Sequence, residues 1–166
     1  MLADLHIADL TGYTGEKGNN MEIRINKEIR IRRCPLCRRE YNEPPAISRT
    51  VSKEQICSDC GTKQALTAYQ LANTPTYCTQ KLNEWMRGSA DRIAWVQNCL
   101  TRHTLFDWGD IDAEDLYAND IATVSEGRIF SAYTIPESMY VGGDDKIWII
   151  TRDDKSTTTV LFPSEY

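Results

Sequence analysis

Four cysteines stand in two C-x2-C pairs, Cys34/Cys37 and Cys57/Cys60, with 19 residues between the pairs. Each pair supplies two thiolates from one tight turn. Two such turns folded together offer the tetrahedral sulfur set that Zn²⁺ takes, at Zn–S distances of about 2.3 Å. Four thiolates leave no open coordination position, so the spacing predicts one structural Zn²⁺ per chain rather than a catalytic metal. Pro35 in the first knuckle and Gly61 after the second suit this pattern, the glycine permitting the tight turn expected there. The competing assignments are redox dithiols or free thiols. Redox C-x2-C motifs usually stand singly at a helix start, which argues against two in tandem.

Two charged stretches flank this chemistry. Residues 21–53 hold nine Lys/Arg against four Glu, whereas residues 104–166 hold four Lys/Arg against thirteen Asp/Glu. The basic flank, Arg30, Arg32, Arg33, Arg38 and Arg39, reads either as a phosphate-contacting ribbon or as a solvated strand face that eases the charge of a four-thiolate site. No aromatic platform interleaves these arginines. The acidic stretch carries Asp107, Asp110, Asp112, Glu114, Asp115, Asp120 and Glu126, with Phe106, Trp108 and Tyr117 among them. Aromatic residues in this density argue against a disordered tail. Three readings stand: a docking face for a basic protein groove, a metal site on Asp107, Asp110 and Asp112, or a capped and solvated helix start. The stretch fails the EF-hand template, which needs acids at alternate positions and a glycine at the sixth.

The histidines are His6 and His103. His103 lies four residues before Asp107, an acid–base spacing, but no nucleophile signature accompanies it. A helix-end histidine satisfying backbone carbonyls is the other assignment. Cys78 and Cys99 read as small buried apolar residues. Gly142-Gly143 lacks the Lys and Ser/Thr of a phosphate-binding loop and reads as a turn. No nucleophile–base pair, open metal site or cofactor fingerprint stands out, so the chain is expected not to be an enzyme.

The elements that must position these residues follow from length and periodicity. The 166 residues, 41% hydrophobic and 26% charged with a net charge of -5, suit a small module plus a larger globular domain. No apolar run approaches the roughly 18 residues that span a bilayer. The N-terminus lacks the basic and apolar regions of a signal peptide, and a cytoplasmic location is expected. Residues 1–20 end in a Gly/Asn-rich run and read as a flexible leader. Residues 21–74 read as the zinc-ribbon module, opening on a strand whose isoleucines, Ile23, Ile25, Ile29 and Ile31, alternate with charges. A short helix over 62–72 follows, with Leu66 and Tyr69 or Leu71 inward, ended at Asn73-Thr74-Pro75. Residues 75–166 read as an acidic α+β domain: helix over 77–103 with a break at Gly88-Ser89, loop over 103–110, and a helix over 113–123 capped by Asp112. Three antiparallel strands come last, at 128–133, 146–151 and 157–162, the middle one central. The fold class expected is α+β, a four-Cys ribbon followed by helices on a short antiparallel sheet. The expected core of the back half includes Trp85, Ile93, Leu100, Leu116, Ile129, Trp148, Ile150 and Leu161.

Two stretches resemble sequences of small phage and plasmid proteins. RRCPLCRREYNEPPAISR…ICSDCGTKQAL, within residues 32–66, looks like a zinc-ribbon segment frequent in phage proteins of Gram-positive bacteria. DWGD…EDLYAND…GRIFSAY…KIWIITRDDKSTTTVLFPSEY, within 107–166, is similar to a family sometimes labelled plasmid-related or as a type I restriction subunit. The resemblance implies a mobile-element origin and a host bacterial cytoplasm, and offers no catalytic residues to carry over. Accessory proteins of such elements include inhibitors of host defence of the anti-CRISPR and anti-restriction kinds. The expected partner is therefore a nucleic-acid-handling complex, such as a CRISPR effector or restriction enzyme, met by the acidic face. Direct contact between the basic ribbon and DNA or RNA is the alternative.

Overall fold

The computed structural model describes residues 30–166. The leader, His6 and the alternating isoleucines before Arg30 lie outside the described residues. Two antiparallel pairs make the cysteine module. β1 (Arg32–Arg33) pairs with β2 (Glu40–Tyr41), and β3 (Ala46–Ile47) pairs with β4 (Gln55–Ile56). Ile31, the last of the alternating isoleucines, is exposed.

Helix α1 (Ser58–Asn73) starts earlier than the apolar pattern indicates, directly after Cys57, whose extended backbone caps it. Asp59 sits in its first turn, where the helix dipole favours a carboxylate. Cys60 and Gly61 are thus helical rather than part of a turn. Gly61 is required for another reason: a Cβ there would lie 2.5 Å from the Ala46 Cβ. The inward stripe of α1 is Cys60, Gln64, Thr67 and Leu71, spaced at helical period, whereas Leu66 and Tyr69 are exposed. Of the residues expected inward only Leu71 is buried, because two positions of the stripe are polar. Both polar side chains find partners indoors: Gln64 Nε2 donates to Thr123 Oγ1 at 3.1 Å, and Thr67 Oγ1 donates to the Thr123 carbonyl at 2.9 Å.

The helix expected over 77–103 is three elements. β5 (Thr76–Cys78) is a strand, α2 (Gln80–Met86) a short helix and α3 (Ala90–Thr104) a longer one. The break falls at Gly88, whose φ of +77° suits glycine, and Ser89 caps α3 by accepting from the Arg92 N–H. His103 therefore lies in the last turn of α3 and not in a loop. Helix α4 (Ala113–Ala122) begins on Asp112, whose side chain accepts from the Asp115 N–H at 2.8 Å, as the sequence indicates.

β6 (Ile129–Thr134), β7 (Lys146–Thr151) and β8 (Thr158–Leu161) form the expected antiparallel sheet, with β5 added parallel to β8 in the order β5-β8-β7-β6. Ile147, Ile149 and Thr151 of β7 face the helices. Trp148 and Ile150, both expected in the core, lie half-buried on the opposite face. Five of the six residues of β7 are apolar or Thr, so alternation alone cannot say which phase points inward; pairing with β6 and β8 decides it. Ile129 and Leu161 are buried as expected, Trp85 and Leu100 pack at the core margin, and Ile93 and Leu116 are on the surface.

Packing crosses the expected division near residue 74. Leu71 of α1 shares a buried cluster with Phe106, Trp108, Ala122 and Ile129. Val124, just after α4, joins Cys34, Tyr41, Ile56, Cys57 and Cys60. The cysteine module thus seats on α4 and the turn that follows it.

Candidate metal centre and charged surfaces

Cys34 and Cys37 stand in the turn between β1 and β2, Cys57 follows β4, and Cys60 lies in the first turn of α1. Local folding brings the first pair together through the Arg38 N–H to Cys34 carbonyl bond at 2.9 Å, with Arg38 at a φ of +62°. The four Sγ atoms all lie within 4.8 Å of one another, with Cys34–Cys60 at 3.8 Å and Cys37–Cys57 at 3.7 Å. A disulfide would need about 2.05 Å. Sulfurs at the corners of a tetrahedron around an ion 2.3 Å away would be about 3.8 Å apart. The cluster therefore has the dimensions of a four-thiolate metal site, and these cysteines are positioned to hold a metal ion.

The surroundings favour one thiolate before any metal arrives. Burial pushes the Cys34 thiol up, but backbone N–H groups of Cys37, Cys57 and Leu36 outweigh it and bring it down to about 7. Burial raises Cys37 and Cys60, and the neighbouring thiols add to the rise at Cys60. Cys34, Cys57 and Cys60 are buried and Cys37 reaches the surface, which gives an ion one route in.

No protein-family model matches the chain, and neither does a curated protein or a solved structure.

The arginines of the basic flank divide by role. Arg39 pairs with Asp59 at 2.7 Å and Glu43 at 3.3 Å, binding the residues that flank β2 to the start of α1. Arg38 donates to the Tyr117 hydroxyl at 3.1 Å, tying the cysteine module to α4. Arg33 Nε donates to the Arg38 carbonyl at 3.1 Å. Arg30, Arg32 and Arg33 form no ion pair with a carboxylate among the described residues.

The acids also divide. Asp107 takes a two-pronged contact from Arg102, at 2.7 and 3.2 Å, which holds its carboxyl below the usual range. Asp120 is buried and accepts from the Trp108 indole at 3.1 Å; burial raises its pKa. Burial takes Asp120 off the surface, whereas Asp107 stays half-exposed with its charge met by Arg102. Asp110, Asp112 and Asp115 do share one surface, and Glu114 is exposed beside them on the first turn of α4. Asp110 accepts from the Thr134 N–H at 3.0 Å, which lowers its pKa. Asp107 therefore stands apart from Asp110 and Asp112, engaged with Arg102 instead of joining them as a ligand. Asp144 and Asp145, which follow the Gly142-Gly143 turn, line the same surface.

Sequence reasoning missed the environment of His103. Its Nδ1 lies 2.6 Å from Ser131 Oγ and its Nε2 2.9 Å from Thr151 Oγ1, which in turn lies 2.8 Å from Thr158 Oγ1. Complete burial pushes its pKa down to about 3, so the ring is neutral near pH 7. Asp107, the expected acid–base partner, is engaged with Arg102. The available signal was polar Ser131 and Thr151 on strand positions that face the core, which demand a polar partner from a helix. This cluster joins α3 to three strands.

Proposed function

We propose that the protein is a non-enzymatic binding protein that carries one structural zinc ion and inhibits a nucleic-acid-handling defence complex of a bacterial host, of the CRISPR-effector or restriction-enzyme kind. Zinc is the assignment for the metal because four thiolates at tetrahedral spacing suit it best. Its work is to bind β1, β2, β4 and α1 into a body that α4 can seat against. The observation that carries the docking reading is the convergence of Asp110, Asp112, Asp115 and Asp145 on one surface. Enzymes that handle nucleic acid hold it in positively charged channels, and a rigid acidic surface competes for such a channel with long-range attraction speeding the encounter. The likeness to phage and plasmid sequences supports a defence complex met in the host cytoplasm.

The deciding experiment is capture from host lysate on the tagged, metal-loaded protein, followed by binding to the purified complex. Reversal of Asp110, Asp112 and Asp115 together to Lys should abolish capture and restore interference against phage, while single changes are tolerated. Recovery of no nucleic-acid-handling complex would sink the reading.

The alternative is direct nucleic-acid binding through Arg30, Arg32 and Arg33, which pair with no described carboxylate. It requires the isolated protein to bind DNA or RNA with a steep salt dependence that neutral substitutions at these three positions remove.

A further inference from the structure

The acidic surface lines an open cleft of about 450 Å³ together with the aromatic side chains of Phe130 and Trp148. Both project from the outer face of β6 and β7. Their rings meet edge to face at 5.3 Å, and Tyr166 extends the strip, 5.6 Å from Trp148. Asp110, Asp112, Asp115 and Asp145 all line it. Asp144 is already engaged by Lys81 at 2.7 Å, and among the described residues Lys146 is the single cation lining the cleft. The alternation of β7 that buries Ile147 and Ile149 leaves Trp148 on this side, half-covered.

The molecule itself places a guanidinium on this strip. The Arg128 Cζ lies 5.7 Å from the centre of the Phe130 ring, and its Nη1 donates to the Tyr166 hydroxyl at 3.2 Å. That contact occupies one end of the strip, beside Phe130 and Tyr166. Trp148, the best cation acceptor among the ring types, lines the cleft beside the carboxylates.

We propose that this cleft takes an arginine side chain from an extended basic segment of a partner protein, the guanidinium lying over Trp148 and bonding to the carboxylates of Asp110, Asp112 or Asp115. The charge of the carboxylates selects a cation, and the aromatic lining selects the flat, weakly hydrated guanidinium over ammonium. Apolar burial alone would not choose between them. The inference rests on the docking reading for the identity of the surface, and it adds the chemistry that the surface recognises: arginine on protein, rather than a broad positive potential.

The test uses the full, metal-loaded chain and a short peptide alternating Gly and Arg. Matched peptides carry Lys or citrulline in place of Arg. Binding is followed by Trp148 indole NMR and by calorimetry. The Arg peptide should shift the Trp148 signal and bind on the order of tenfold more tightly than the Lys peptide, with the citrulline peptide silent. Trp148→Ala should lower the affinity about tenfold. Because Trp148 is half-buried, a second variant guards against misfolding: Asp110→Asn, Asp112→Asn and Asp115→Asn combined keeps the helix cap and the Thr134 contact available while removing the charge. It too should lose the peptide. Equal affinity for Arg and Lys peptides, or an unmoved Trp148 signal, overturns the inference. If a purified complex is still captured and released by acid reversal in that case, the docking reading stands without it. If the Arg peptide binds at Trp148 but no complex is captured, the docking reading falls alone.

Discussion

Replacing His103 by Gln should change how stability depends on pH more than it changes the fold. The ring is sealed between α3 and the sheet, and burial takes its pKa from 6.5 to about 3. In the unfolded chain the ring titrates near its ordinary value. Between these two values the unfolded state holds one more proton than the folded state, so stability rises with pH there. The contribution of a neutral His103 is whole above about 6.5 and is lost progressively as pH falls toward the folded value. Over the step from pH 7 to pH 5 that loss is about 2 kcal/mol, from 1.36 kcal/mol per unit of pKa. Carboxylates with lowered pKa, Asp107 and Asp110 among them, contribute chiefly below that interval. The assay is urea unfolding of wild-type and His103→Gln protein at pH 7, 6 and 5 with free zinc held constant. Gln keeps a donor and an acceptor for Ser131 and Thr151. The gap in unfolding free energy between the two proteins should narrow by about 2 kcal/mol on acidification. A gap that stays constant would refute the reasoning, as would a His103 ring resonance that titrates near 6.5.

Purified protein should carry close to one zinc per chain by elemental analysis, and Cys34→Ser or Cys60→Ser should lose the metal together with the fold of the front module. Zinc-free protein of undiminished stability would count against a structural role. Gly61→Ala should destabilise by about 1–3 kcal/mol, because its Cβ would meet that of Ala46 at 2.5 Å and neither helix nor strand can yield cheaply. Ala46→Gly in the same chain should recover most of the loss; no recovery would place the strain elsewhere. Leu71→Ala should cost about 2–5 kcal/mol by thermal or urea unfolding. For the same reason a fragment beginning at Ser58 should melt above one beginning at Pro75, since α1 covers Phe106 and Trp108; equal melting of the two would contradict that packing.

The clustering of the four cysteines, the Asp112 cap, the break at Gly88-Ser89 and the strand at Lys146–Thr151 were legible in the sequence because each depends on a few neighbouring residues: a thiol spacing, a capping side chain, a glycine, a run of apolar side chains. β5 was not legible. Three residues, Thr76-Tyr77-Cys78, become a strand by pairing with β8, some eighty positions away, and no local pattern carries that partner. Apart from Leu71, the inward face of α1 was not legible, because its buried stripe includes Gln64 and Thr67, and polar residues are tolerated there only once Thr123 arrives to bond them.

Composition and spacing by themselves determined that a four-cysteine cluster able to hold a metal precedes an acidic stretch in an α+β chain. They could not sort the acids, since Asp107, Asp110 and Asp120 are alike as letters. Tertiary structure assigned Asp107 to Arg102 and Asp120 to Trp108, and gathered Asp110, Asp112 and Asp115 with Asp145 from another loop. It also decided which side of β7 is core, and so put Trp148 in the lining of a cleft. The physical reason is common to these cases. Thiol spacing and caps are set by bonds a few residues long, whereas the burial of a carboxylate or the phase of an apolar strand is set by whatever the rest of the chain packs against it.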